Sequence, residues 1–179
     1  MKIIVMGASN SKKSINKTLA TYAGSQLNGV ENIIIDLNDY EMPIYSIDRE
    51  QEQGIPDLAI SLASQIKEAD GVIISFAEHN GAYSAAFKNI LDWMSRTDIK
   101  QWQEKNALLL ATSPGGRGGM GVLAIANSSF PHYGAKVAAS FSLPSFHKNF
   151  VEGEGISDPE LKEKFDQAIK AFSQKLTQS

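Results

Sequence analysis

Ile3-Ile4-Val5-Met6-Gly7-Ala8-Ser9-Asn10-Ser11-Lys12-Lys13-Ser14-Ile15-Asn16 is the stretch whose reading decides the fold. Its four leading apolar residues predict a strand buried on both faces, as in the middle of a parallel sheet. Beyond the loop, Ile15, Leu19, Tyr22, Ala23 and Leu27 recur at helical spacing, which predicts a helix over 14–26. The connecting loop is rich in hydroxyls and amides and carries two lysines. A helix N-terminus has unpartnered N–H groups and a partial positive charge, so the loop predicts an anion site, most often for phosphate.

The same alternation continues down the chain. Strands are predicted over 32–37, 71–76, 107–111 and 136–141. Helices are predicted from Pro56 through Leu62 to Ile66, over 84–95, over 120–129, and after Ser157-Asp158-Pro159-Glu160, which reads as a capping box. Residues 38–55 and 143–155 show no period and read as irregular excursions. Five strands alternating with five helices predict an α/β fold: a flavodoxin-like three-layer sandwich. Its five-stranded parallel sheet has the order 2-1-3-4-5, with helices on both faces. The 179 residues suit one domain, spanning 1–179.

Composition narrows the function classes. With 42% hydrophobic and 21% charged residues the chain reads as globular, and its formal net charge of −3 gives no general attraction to nucleic acid or membrane. There are no cysteines, which excludes disulfides, thiol nucleophiles and cysteine-based zinc sites. His79, His132 and His147 are scattered without ligand spacing, so no metal site is expected. No apolar run approaches a bilayer span and no signal-peptide pattern opens the chain, so the expected compartment is the cytoplasm.

In the predicted strand order, ligands bind at the carboxyl ends of the strands, beside strand one. Three loops would meet there: 7–16, 77–83 and 112–119. The first is almost a P-loop, but Lys12 stands where that motif has its second glycine. Asp36 is the carboxylate a nucleotide hydrolase would use for magnesium. The G-x-G-x-x-G spacing of a dinucleotide site is absent, since Gly7 stands alone. A monophosphate loop fits better. Ser9, Ser11, Ser14 and Asn16 supply short donors, together with the N–H groups of the helix start at Ile15. An ordinary hydroxyl-rich capping turn is the alternative.

In the third loop, Ser113-Pro114-Gly115-Gly116 leads into Arg117, Gly118 and Gly119. So many glycines let backbone approach a flat ring closely. In the second, Glu78, His79, Asn80 and Gly81 form a polar edge for such a ring. Phe76, Tyr83 and Phe146 are candidate apolar walls for a nicotinamide, with core packing as the plainer alternative. The stretch with His147 is a candidate cover for the site.

At these loops the sequence resembles the NADPH-dependent FMN reductases of the flavodoxin-like superfamily. The family's phosphate loop, G-S-x-R-x-x-S-x-N, has Ser9, Ser14 and Asn16 as matches, with Ala8 at the glycine and Ser11 at the arginine; Lys12 or Lys13 is the candidate replacement charge. Its P-E-Y-N motif stands here as Ala77-Glu78-His79-Asn80. Its L-K-N-x-x-D-W-x-S-R segment is matched closely by Phe87-Lys88-Asn89-Ile90-Leu91-Asp92-Trp93-Met94-Ser95-Arg96, and S-P-G-G by residues 113–116.

The resemblance implies FMN held by Ser9, Ser11, Ser14, Ile15, Asn16, Glu78, His79, Asn80, Gly81, Ser113, Pro114, Gly115, Gly116 and Gly119. NAD(P)H would be the co-substrate. Hydride would pass from nicotinamide to flavin N5 and electrons on to a small-molecule acceptor: free flavin, a quinone, an azo compound or a metal oxyanion. No side chain is assigned as a catalytic acid or base. The resemblance also implies a homodimer or homotetramer through the Phe87–Arg96 helix, the segment that carries Lys88, Asp92 and Trp93. The alternative function is an FMN-binding electron carrier without NAD(P)H activity of its own.

Overall fold

Side-chain alternation along β1 (Lys2–Ala8) assigns the helices to the two faces of the sheet. Ile4 and Met6 point into one core, while Ile3 and Val5 point into the other. The computed structural model describes residues 1–178. After β1 come α1 (Ile15–Ser25), β2 (Glu31–Ile35), α2 (Ile47–Gln53), α3 (Asp57–Glu68) and β3 (Gly71–Phe76). A short hairpin, β4 (Glu78–His79) and β5 (Ala82–Tyr83), precedes α4 (Ala85–Thr97). Then follow β6 (Asn106–Thr112), α5 (Met120–Ser129), β7 (Lys136–Leu143) and α6 (Phe146–Asn149). A second hairpin, β8 (Phe150–Val151) and β9 (Gly155–Ile156), leads into α7 (Pro159–Leu176).

The sheet order is β2-β1-β3-β6-β7 and every pairing is parallel. Counting only these five strands, that is the predicted 2-1-3-4-5 flavodoxin-like arrangement. The two hairpins lie outside the main sheet and only raise the numbering. Residues from α3, α4 and α5 pack with Ile4, Met6, Val72, Ile74 and Leu109 on one side. Residues from α1 and α7 pack with Ile3, Val5, Ile73, Leu108 and Leu110 on the other. Gly7 lets α1 sit directly on β1: a Cβ there would lie 2.4 Å from the Lys17 backbone nitrogen. Among the described residues no helix is long and apolar enough to cross a membrane.

The two irregular excursions contain structure that apolar periodicity could not show. Residues Leu37–Tyr40 form a 3-10 turn and Ile47–Gln53 form α2, which has no buried residue and therefore no apolar face to read. The second excursion holds α6, only one turn long, and the β8–β9 hairpin.

The Phe87–Arg96 segment falls within α4, and its polar residues hold the first excursion down. Asn89 Oδ1 accepts from the Tyr45 N–H at 2.9 Å, and Asn89 Nδ2 donates to the carbonyls of Met42 and Pro43. Trp93 Nε1 donates to Pro43 O at 2.7 Å, and Arg96 Nε reaches both Glu50 carboxylate oxygens. Trp93 is 1% exposed. Its ring lies inside this protomer.

Candidate active site

The carboxyl ends of β1, β3 and β6 lie side by side, with Ala8 opposite Phe76 and Phe76 opposite Ala111. The loops that follow enclose a cleft of about 310 Å³. Ser9, Ser11, Lys13, Ser14, Ile15 and Asn16 line it from the first loop. Ala77, Glu78 and His79 line it from the second; Thr112, Ser113 and Pro114 line it from the third; His147 completes it from α6.

Local hydrogen bonds shape the first loop into an anion nest. Ser9 Oγ accepts from the Ser11 N–H, Ser11 Oγ from the Lys13 N–H, and Ser14 Oγ caps α1 by accepting from the Lys17 N–H at 3.1 Å. Each hydroxyl thus spends a lone pair on the backbone and keeps its O–H proton to donate. The N–H groups of Ile15 and Asn16 fall in the first turn, where helix geometry provides no intrahelical acceptor. Lys13 adds a cation to the same wall. The cleft's one carboxylate, Glu78, is turned away: its Oε2 accepts from the Val122 N–H at 2.9 Å, in the first turn of α5. Its charge there answers the positive end of that helix dipole.

Asn16 ties the three loops together. Its Oδ1 accepts from Ser75 Oγ at 2.7 Å and from the Thr112 N–H at 3.1 Å, and its Nδ2 donates to Thr112 O at 3.1 Å. All three residues are buried. The side chain that the loop pattern offers as a phosphate donor therefore spends its oxygen and one of its two N–H groups on protein partners. Ser84 Oγ donates to Ala8 O and accepts from the Phe87 N–H, fixing the start of α4 against the end of β1.

The third loop is clamped from behind by the end of β7 and the segment after it. Phe146 N–H donates to Ser113 O, Ser145 N–H to Gly115 O, and Ser142 Oγ to Gly118 O. A Cβ on Gly118 would meet Ser142 Oγ at 2.5 Å and Pro144 N at 2.8 Å, so this close approach requires glycine. The clamp is what brings His147 to the cleft.

The structure gathers Ser9, Ser11, Ser14, Ile15, Asn16, Glu78, His79, Ser113 and Pro114 into the cleft and leaves five expected residues outside its wall. Asn80 (φ 53°) and Gly81 (φ 76°) are the two central residues of the β4–β5 turn, where both positions need positive φ. Gly119 (φ 75°) opens α5 and packs on Ala111. Gly116 faces a separate groove beside Arg117, and Gly115 serves the clamp through its carbonyl. The cleft also contains Ala77, the first residue of the second motif, and Thr112, which opens the third predicted loop. Lys13 lines the cleft, whereas Lys12 points into a neighbouring groove.

The candidate nicotinamide walls go to the core reading: Phe76 is fully buried against Phe87 and Phe130, and Phe146 stacks on Phe150. Tyr83 packs on Phe76, its hydroxyl lies 3.1 Å from Ser129 Oγ, and burial raises its pKa. Asp36 does not face the phosphate loop as a magnesium ligand would. It binds Lys17, and that hydrogen bond, followed by those from the Asn38 N–H and side chain, lowers its carboxyl to about 2. Among the described residues no cluster of histidine and carboxylate side chains could hold a metal ion.

The sequence profile of the family described as NADPH-dependent FMN reductase matches residues 1–148. The chain belongs to that family. A quinone reductase of Escherichia coli strain K12 is 38% identical over 79 residues, 44% of this chain and 42% of that protein. An NADPH azoreductase of a Bacillus species, strain OY1-2, is 32% identical over 123 residues, 69% of this chain and 65% of the relative. Each match thus spans less than two thirds of the relative's length. Among solved structures, the flavoenzyme NAD(P)H:(acceptor) oxidoreductase FerB from Paracoccus denitrificans superposes with a TM-score of 0.79 at 23% identity. The match covers 99% of this chain and 97% of FerB, which shows the shared fold.

Proposed function

We propose that the cleft holds FMN and that the protein is an NAD(P)H-dependent oxidoreductase reducing a small-molecule acceptor. Quinones and azo compounds are favoured as acceptors by the names of the two relatives above; free flavin and metal oxyanions are further candidates. The observation that carries the reading is the nest of three hydroxyls with unspent protons, in a cleft whose only carboxylate is turned onto another helix. This donor set fits a monophosphate and needs no metal ion. Ser9, Ser11, Ser14 and the N–H groups of Ile15 and Asn16 would hold the phosphate, with Lys13 beside them. The backbone of residues 77–79 and 112–114 would border the ring. Held there, FMN would supply the redox chemistry between a nicotinamide and the acceptor. The chain's part is placement: Asn16 sets the spacing of the loops, Ser84 anchors α4, and the clamp behind Ser113 holds the third loop still.

We also infer self-association through the exposed side of α4. Leu91 and Ile125 line an apolar hollow of about 510 Å³ between α4 and α5, with the Lys88–Asp92 pair at its edge. Sedimentation of the purified protein checks this, a monomer at all concentrations being the contrary result.

Titration with FMN, read by flavin absorbance and fluorescence quenching, tests the cofactor. Saturable binding is expected, followed by NADPH oxidation with an added benzoquinone above the rate of free FMN. Absence of binding at excess FMN overturns the reading. Binding without NADPH or NADH oxidation turns it toward an electron carrier.

A further inference from the structure

A second cavity begins where the phosphate nest ends. It is a groove of about 790 Å³ and shares Lys13 and Ser14 with the cleft, so the two adjoin along that wall. From there the groove follows one face of α1 through Lys17, Thr21 and Ser25, a helix about 16 Å long. The β8–β9 hairpin forms the opposite wall. Its chemistry is graded along its walls. Lys12 and Lys13 are exposed and form no ion pair among the described residues, whereas the groove's other lysines are neutralised, Lys17 by Asp36 and Lys162 by Asp166. Tyr22 and Phe150 form an aromatic wall, their rings meeting edge to face at 5.3 Å; each has one face covered from behind, Tyr22 by Phe165 and Phe150 by Phe146. A Cβ on Gly155 would lie 2.3 Å from the Tyr22 ring, so the hairpin is fitted closely to this wall. On the hairpin, Glu152 and Glu154 offer carboxylate acceptors that also form no ion pair among the described residues.

We propose that this groove is a binding site for an adenosine phosphate. The two uncommitted ammonium groups meet the phosphate. The Thr21 hydroxyl lies along the path of the ribose. The aromatic wall and the hairpin carboxylates meet a purine carrying an exocyclic amine, which needs an apolar surface for its ring and acceptors for its N–H groups. Two dinucleotides carry this group. FAD would place its phosphate in the nest and continue into the groove, and NADPH would bring its adenosine 2′-phosphate. The position relative to a flavin rests on the FMN reading above; the affinity for an adenosine phosphate does not.

Calorimetric titration with 2′,5′-ADP and with 5′-AMP, on protein with and without added FMN, tests the proposal. The expected result is saturable binding that Lys12→Glu weakens by about tenfold or more, the effect of losing a charge-assisted contact. Lys12 adjoins the phosphate nest, so FMN affinity is titrated on the same variant, and the loss of adenosine phosphate binding is expected to exceed any loss of FMN binding. If FAD is the source, FAD binds more tightly than FMN and Lys12→Glu removes the difference. If NADPH is the source, Lys12→Glu raises the KM for NADPH and leaves that for NADH. Failure of the wild-type protein to bind either adenosine phosphate, or equal binding by wild type and Lys12→Glu, overturns the proposal. Uptake of 2′,5′-ADP by protein that ignores FMN keeps it and removes the cofactor reading instead.

Discussion

Asn16→Ala separates two roles that the phosphate-loop pattern runs together. A side chain that donates to phosphate would, on removal, weaken FMN binding and leave the free protein's stability alone. The structure predicts the opposite emphasis. Asn16 makes three buried hydrogen bonds, to Ser75 Oγ, Thr112 N and Thr112 O. Each contributes about 1 kcal/mol net, and the buried Thr112 N–H left without a partner costs about 1–3 kcal/mol more, so a loss of about 4–6 kcal/mol is expected. For a chain of this length that lowers Tm by roughly 8–24 °C. Urea unfolding of flavin-free protein measures it directly. Trp93 and Trp102, 1% and 0% exposed, report the loss of the core by fluorescence. Asn16→Asp is the control. It keeps both acceptor contacts but sets a carboxylate oxygen against Thr112 O, and burial raises its pKa. The folded form then binds the extra proton, so this variant gains stability as pH falls. An Asn16→Ala protein within about 0.5 kcal/mol of wild type would refute the tethering role.

Other substitutions probe the remaining supports. Gly7→Ala drives a Cβ against the Lys17 backbone, which cannot swing aside, and is expected to cost about 3 kcal/mol in a thermal melt. Ser14→Ala removes the α1 cap for about 1 kcal/mol and one phosphate donor; Ser14→Asp keeps the cap but repels an anion, so chemical unfolding stays near wild type while FMN titration shows lost affinity. Asn89→Ala releases three bonds to residues 42–45 and costs about 2–3 kcal/mol, visible as faster proteolysis near Arg49. Asp36 has its pKa lowered in the folded state, so its pairing with Lys17 stabilises fully above the unfolded value near 4 and is lost as pH falls towards 2. The pair is about a third exposed, which limits its worth to about 0.5–1 kcal/mol; Asp36→Asn should remove that part of the acid sensitivity in pH-dependent melts.

The strand order and the three converging loops were legible because a continuous apolar run is a local signal, and β1, β3 and β6 carry it. The nest was legible for the same reason: Ser9, Ser11 and Ser14 bond to N–H groups two or three residues away. What sets the distances between the loops is not local. Asn16 reaches partners 59 and 96 residues along the chain, and Asn89 reaches 44 to 47 residues back. An asparagine has the same appearance in a sequence whether it meets a ligand or a carbonyl from another loop. The glycine run shows the limit most clearly. Gly115, Gly116, Gly118 and Gly119 read alike as permissive backbone, yet each does something different. Gly118 is pressed against the end of β7 and the segment after it, and Gly119 starts a helix, while a Cβ on Gly116 would meet nothing. Only the first two are required by their surroundings. Replacing Gly118 should therefore displace Ser113 and Pro114 through the clamp, whereas replacing Gly116 should leave the cleft as it is. The ligand class follows from short donors that local sequence displays. The precision of the site follows from long-range polar ties and one close backbone approach, which only the fold reveals.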